Sequence, residues 1–434
     1  MNFLPVAAAA AENAARAFGL ESAEALRLGL AVEEYFAYLC RFAGREEPLR
    51  LTLSRGGTFV RAGFRFRAGA VSLRALNFAA RIDIEDEGAG ELGLIVASRT
   101  TDRSSLELSG ADVYQLSAEV DRKYPLGEPI AAAQRLTPPL RVEDAPGPGL
   151  LQHCALLAAG RYAPRLCPRS FRRPGRFVDM AASGQYRALA VLDAADRPAG
   201  LFCWRASGRR GVAFSGPYVF CDPAEAALAA ETARLLTERF LSLVARSEVV
   251  CAFSERPTPD LPRGWFERLG TLAMPDLAED GAGSLAPQPA YVRHLREDVG
   301  GAVWASPDLT DFLRREYDRL AFSRDLLPAA PAPQATLPEH SLLATTLDRV
   351  RGLVVLRPLL DGRDFADNLA AHVTALYEAV EGAPLAILLH LDLAQPWQAA
   401  LSPALAANGF APRLVLPHGG TSDILVCQHA AAHS

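Results

Sequence analysis

The sequence predicts a mixed α+β and α/β protein of several domains, and three observations lead there. A chain of 434 residues is longer than one ordinary hydrophobic core serves, so two or three domains are expected. Proline-rich stretches at residues 116–148 and at Pro328 to Pro333 interrupt the apolar patterning. In the last hundred residues, strand-like and helix-like segments alternate, which favours an α/β layer with largely parallel neighbours.

Each element has its own signal. Ser22 to Ala43 carries Leu28, Val32, Tyr35, Phe36 and Leu39 at three-and-four spacing, with Ser22 as N-cap, and reads as a helix with one buried face. Leu49 to Ser54 and Thr58 to Arg67 read as strands joined by the turn Arg55-Gly56-Gly57. Leu92 to Arg99 reads as a helix entered through glycines, and Ser104 to Leu108 as a closing strand. After the linker, Tyr186 to Asp193, Pro198 to Ala206 and Val212 to Phe220 read as strands. A helix from Ala224 to Arg246 follows, with Asp222 as N-cap and Pro223 at its first position, then a strand from Val249 to Phe253. The C-terminal alternation is strand Leu353 to Arg357, helix Phe365 to Val380, strand Leu385 to Leu391 and helix Pro396 to Asn408. Strands Ala411 to Leu416 and Ser422 to Gln428 end it. The domain boundaries implied are 1–115, a linker at 116–148, then 149–290 and 291–434.

Composition excludes several classes. The chain is 50% apolar and 22% charged, which is globular, and its formal net charge of −5 offers no basic face for nucleic acid. Lys123 is the only lysine, which removes most lysine-based catalysis. The seven cysteines lack CxxC or any metal-ligand spacing and several sit in apolar runs, so buried reduced thiols and a cytoplasmic location are expected. No apolar run reaches the roughly 18 residues of a membrane span. The N-terminal alanine run leads into Glu12, Asn13 and Arg16 and reads as an amphipathic helix, not a signal peptide.

Two stretches carry a possible chemistry. Leu30-Ala31-Val32-Glu33-Glu34-Tyr35-Phe36-Ala37-Tyr38 places Glu34 and Tyr38 one helical turn apart, on one face. Gly90-Glu91-Leu92-Gly93-Leu94-Ile95-Val96, followed by Asp102, supplies glycines where backbone could approach a phosphate at a helix start. In this order and spacing the two resemble the Glu-containing helix and Gly-rich box of the anti-sigma-factor serine kinases, a branch of the GHKL ATPases. The resemblance implies a GHKL-like α/β sandwich over residues 1–115, with ATP as cofactor and Glu34 as general base. It implies a nucleotide site of Glu34, Tyr38, Gly90, Gly93 and Leu94, and an anti-anti-sigma or sigma-like protein as partner. This chain departs from the pattern twice. Tyr38 stands where the family has the Mg²⁺-binding Asn, and Phe64-Arg65-Phe66-Arg67-Ala68-Gly69 replaces the adenine-reading Asp-x-Gly. Without the metal ligand, serine kinase activity is not expected.

The block from Arg187 to Arg205 resembles the β2–β3 hairpin of GNAT acetyltransferases. Asp392 to Pro396, Asn408-Gly409-Phe410, Leu416-Pro417 and Asp423-Ile424-Leu425 resemble the C-terminal part of bacterial fusions of the two families, with Tyr291 to Arg324 as connecting region. The resemblance implies tandem GNAT-like α/β domains and acetyl-CoA as cofactor. Where the family has a glycine-rich pyrophosphate loop, this chain has Cys221-Asp222-Pro223-Ala224-Glu225, acidic and without glycine. His390 and Asp392 share a strand face and read as a buried hydrogen-bonded pair or a catalytic one, and His418-Gly419-Gly420 as a turn or a ligand loop. Three functions follow. One is a cytoplasmic bacterial regulatory protein acting through protein interaction; the second is an N-acyltransferase using acetyl-CoA or another acyl-CoA, with the first domain as sensor; the third is a nucleotide-dependent switch without catalysis.

Overall fold

The computed structural model describes residues 3–430 apart from 43–47, 68–73, 80–96, 98, 109–112, 132, 134, 278–282 and 381. The chain forms two compact units. The first comprises Met1–Tyr124, Pro333–Thr345 and Leu356–Leu376, and the second Pro125–Ala332, Thr346–Val355 and Tyr377–Ser434.

In the first unit, helices α1 (Leu4–Ala17) and α2 (Ser22–Phe42) pack on a four-stranded antiparallel sheet. Its strands are β1 (Arg50–Arg55), β2 (Phe59–Arg67), β3 (Arg103–Leu108) and β4 (Val113–Asp121), in the order β1-β2-β4-β3. Ala7, Ala11 and Ala15 bury one narrow stripe of α1, and small side chains there let the helices approach closely. A Cβ at Gly29 would lie 3.4 Å from Glu12 Cβ. Along β2, Val60, Ala62, Phe64 and Phe66 face the helices while Arg61, Arg65 and Arg67 are exposed, the period-2 alternation of a sheet with one buried face. Tyr35 of α2 meets Phe64 edge-to-face at 5.9 Å. β4 crosses the boundary expected at residue 115, so part of the expected linker is an inner strand of this sheet.

The second unit holds a seven-stranded sheet in the order β10-β11-β9-β8-β7-β6-β5. β5 (Arg141–Glu143) leads through α3 (Pro148–Arg161) and α4 (Pro174–Ala182) to β6 (Arg187–Leu192), β7 (Pro198–Ser207) and β8 (Gly211–Val219). Helix α5 (Ala226–Val244) crosses to β9 (Cys251–Ser254), which is parallel to β8, as a crossover helix requires. β10 (Glu267–Leu277) and β11 (Gly283–His294) form a long antiparallel hairpin. Both faces of this sheet are covered. Around Phe240 of α5 on one side, Phe202 stacks, Trp204 packs edge-to-face and Phe214 lies tilted, while Ala188, Ala190, Leu201, Cys203 and Tyr218 pack on α3 and α4 on the other. That is why β6 to β8 read as near-continuous apolar runs. At the β6–β7 turn the buried Asp193 accepts from the N–H groups of Thr137, Ala195 and Arg197 and from the Arg197 guanidinium. Burial opposes its ionisation, but these bonds outweigh burial and hold its carboxyl down at about 2.

The rest runs β12 (Ala302–Ala305), α6 (Pro307–Leu320), β13 (Asp325–Pro328), β14 (Leu342–Asp348), β15 (Leu353–Leu360), α7 (Phe365–Ala379) and β16 (Ala386–Asp392). It ends with α8 (Pro396–Ala399), α9 (Ser402–Ala407), β17 (Phe410–Leu416) and β18 (Ile424–His429). β12 and β13 pair in parallel, and a five-stranded sheet has the order β14-β15-β16-β18-β17. The expectation of largely parallel neighbours here is corrected: β18 is antiparallel to both β16 and β17. The helix expected over Pro396 to Asn408 is two short helices. Gln428, 1% exposed, pairs its side-chain amide with both backbone groups of Ala273, a sheet bridge made by a side chain.

Candidate functional site

β8 and β9 pair only at Gly211–Cys251, Val212–Ala252 and Ala213–Phe253, after which the strands part. β8 then bends at a bulge, where Gly216 has φ 108° and the pairing with β7 shifts register. Parted parallel strands leave unpaired backbone groups along β8, a ready edge for an extended ligand.

In this chain, its own side chains take that edge. The Val219 N–H donates to Tyr162 Oη at 2.6 Å, and the same hydroxyl donates to Asp260 Oδ2 at 2.6 Å. Arg161 donates through Nη1 to the Phe220 carbonyl at 2.6 Å and through Nη2 to the Cys221 carbonyl at 2.8 Å. Thr258 Oγ1 donates to the Pro217 carbonyl, and the Tyr218 side chain is itself anchored, its Oη donating to the Leu166 carbonyl. Burial, then the Asp260 charge, raises the Tyr162 phenol far above its ordinary value, so it remains a donor at neutral pH. Burial also raises Asp260.

The start of α5 follows two acidic residues and has no side-chain cap. The helix begins at Ala226, with Glu225 as the N-cap residue, which corrects the expected cap at Asp222. Asp222 Oδ1 instead accepts from the Ala224 N–H at 2.9 Å, a local turn. Asp222 and Glu225 thus put two acidic residues just before the helix, the end of the dipole that favours negative charge. Deeper in, the β14–β15 turn carries Arg351, whose Nε donates to the Pro164 carbonyl at 3.1 Å while Nη1 lies 3.3 Å from Asp348. Burial and the nearby Arg256 lower its pKa to about 10.

Comparisons with known proteins give a partial picture. No family model matches the chain, and no curated protein matches it. Solved acetyltransferase structures match about a third of it. A chimera of spermidine N-acetyltransferase SpeG from Vibrio cholerae and hSSAT shows 15% identity and a TM-score of 0.29, covering 36% of this chain and 95% of that one. A GNAT-family acetyltransferase from Staphylococcus aureus shows 9% and 0.27, over 36% and 100%. An aminoglycoside 6'-N-acetyltransferase complexed with coenzyme A shows 12% and 0.26, over 36% and 97%. The kinase-like reading of the first unit gains no support from these comparisons.

The other expected residues fall in several places. Gly90, Gly93 and Leu94 lie outside the described residues. Glu34 is half-buried on α2, and Tyr38, 2% exposed, belongs to the core between α2 and the sheet. Arg65 and Arg67 are on the outer face of β2, turned away from α2. Asp392 organises a loop, accepting from the N–H groups of Ala394, Thr421 and Ser422. His418 (φ 54°) and Gly420 line an open cleft of about 390 Å³ with Arg209, Arg210, Glu248 and Thr421. His418 is held from behind by Asp298 at 3.1 Å, itself bonded to the buried Arg324, which also binds Asp423. The N–H groups of residues 418 to 422 are all bonded within the protein, so this loop offers no backbone cradle for an anion. Tyr162, Arg161 and Asp260 were not identified from sequence: about a hundred residues separate Tyr162 from Asp260 (|i−j| = 98), and no local motif marks either.

Proposed function

We propose that this is a regulatory protein in which an acetyltransferase-like module serves as scaffold, and that it works through binding and not through acyl transfer. The observation that supports this most is the occupied edge of β8, where Tyr162 bonds the Val219 N–H and Asp260 together. An acyl-CoA aligned along that edge would have to break these bonds and then place its pyrophosphate against Asp222 and Glu225. Each backbone group displaced from a partner in a site that is not open to water costs about 1–3 kcal/mol. The partner class in this reading is the one the sequence resemblance implies, an anti-anti-sigma or sigma-like protein.

Thermal unfolding of the purified chain with acetyl-CoA tests the reading, because a ligand that binds the native state raises the melting temperature. No shift is expected at millimolar acetyl-CoA. A saturable rise, together with acetylation of an amine acceptor, would establish the acyltransferase alternative. A pull-down with anti-anti-sigma and sigma-like proteins tests the partner class.

A further inference from the structure

The first unit contains a cleft of about 380 Å³ that none of the chemistry above uses. One wall is β3, from Arg103 to Leu106, and the other is the start of β14, from Leu342 to Thr345. Each is the terminal strand of its sheet among the described residues. The cleft therefore runs between two sheet edges, the surfaces that present unpaired N–H and C=O groups.

Asn77 shows that the β14 edge accepts a partner. Its side-chain Nδ2 donates to the Ser341 carbonyl at 2.9 Å, and its Oδ1 accepts from the Leu343 N–H at 2.9 Å. A single amide thus reproduces one link of a β-ladder. Alternation along a strand puts the Leu343 carbonyl and the Thr345 N–H on the same edge, one step further into the cleft. Thr345 Oγ1, which also lines the cleft, is buried without a hydrogen-bond partner.

The charges lining the cleft are mostly neutralised. Asp102 is paired with Arg27 at 3.2 Å, and Arg103 with Glu119 at 2.6 Å and Asp121 at 2.7 Å. Arg99 is exposed and, among the described residues, has no ion-pair partner. Among the described residues, the cleft thus combines apolar side chains, two strand edges and one positive charge without an ion-pair partner.

We infer that this cleft binds an extended peptide of a partner protein by β-strand addition, with an acidic side chain of the peptide facing Arg99. The strand edges supply the peptide's backbone bonds, the apolar walls take alternate side chains, and Arg99 sets the preferred charge. A small apolar ligand would use the walls and leave the edges unused.

Fluorescence anisotropy with the full chain tests this. The probe is a labelled eight-residue peptide alternating valine and threonine around one glutamate. Saturable binding is expected, weaker by about threefold when lysine replaces the glutamate, the size of effect an exposed ion pair gives. Methylating alternate peptide amides should weaken binding more than about tenfold, because the ladder bonds are then lost. Arg99→Glu should reverse the charge preference, and Thr345→Pro should abolish binding while leaving the melting curve intact, since an edge strand tolerates proline. Absence of binding at millimolar peptide overturns the proposal. So does binding that neither amide methylation nor Arg99→Glu alters, which would mark the cleft as a site for small apolar ligands.

Discussion

Tyr162 joins a backbone N–H and a half-buried carboxyl through one oxygen, so its removal strands two groups at once. Tyr162→Phe keeps the ring and its edge-to-face contact with Tyr218 at 5.1 Å. It is expected to cost about 1–3 kcal/mol in urea unfolding, the penalty for leaving such groups unsatisfied. A cost near zero would mean that water reaches Val219 and Asp260 and that the edge is open. Asp298 gives a pH-dependent counterpart. Burial opposes its ionisation, but the Arg324 hydrogen bond and charge, together with His418, outweigh burial and lower its pKa below the ordinary carboxylate range. A depressed folded-state pKa contributes stability that is present above the unfolded value, near 4, and lost as pH falls through the folded one. Acid unfolding of Asp298→Asn should therefore be flatter below pH 4 than that of the wild type, with the variant less stable at pH 7.

At the level of elements, the β7–β8 hairpin and the loop before β18 meet with almost no space. Gly208 sits at φ 61°, and a Cβ there would lie 2.1 Å from the His418 carbonyl oxygen and 2.3 Å from that of Gly420. Both obstacles are backbone, so neither can rotate away. Gly208→Ala should destabilise by about 1–3 kcal/mol in urea unfolding; a neutral result would show that the loop shifts freely. Sequence patterning found β6, β7, β8, α5, β16, β17 and β18 because long apolar runs or helical periods mark them. β4 was missed although Tyr114, Leu116, Ala118 and Val120 alternate cleanly, because Gln115, Ser117, Glu119 and Asp121 make the segment read as linker. The β10–β11 hairpin was missed because Pro275, Pro287 and Pro289 argue against strand in isolation. The candidate site was less legible than the fold. Tyr162 and Asp260 acquire their roles only when distant segments meet.

For the whole molecule, the chain enters the first unit three times. Leu342, Leu359 and Leu360 complete a core begun by α1 and α2, and Asn77 finds its partners at Ser341 and Leu343. A fragment ending at Tyr124 should therefore lack cooperative thermal unfolding, while the intact chain retains it. A sharp calorimetric transition for the fragment would show that the later segments are dispensable.

The same threading puts a clock on synthesis. About 250 residues separate Tyr124 from Leu376, and a ribosome adding roughly 5–20 residues per second needs on the order of ten to fifty seconds to make them. Over that interval the nascent N-terminal segment waits with apolar surface uncovered, while the seven-stranded sheet emerges behind it and can close first. The unit begun first is then completed only after the seven-stranded sheet encoded behind it, and chaperone demand should track translation speed through residues 125–376.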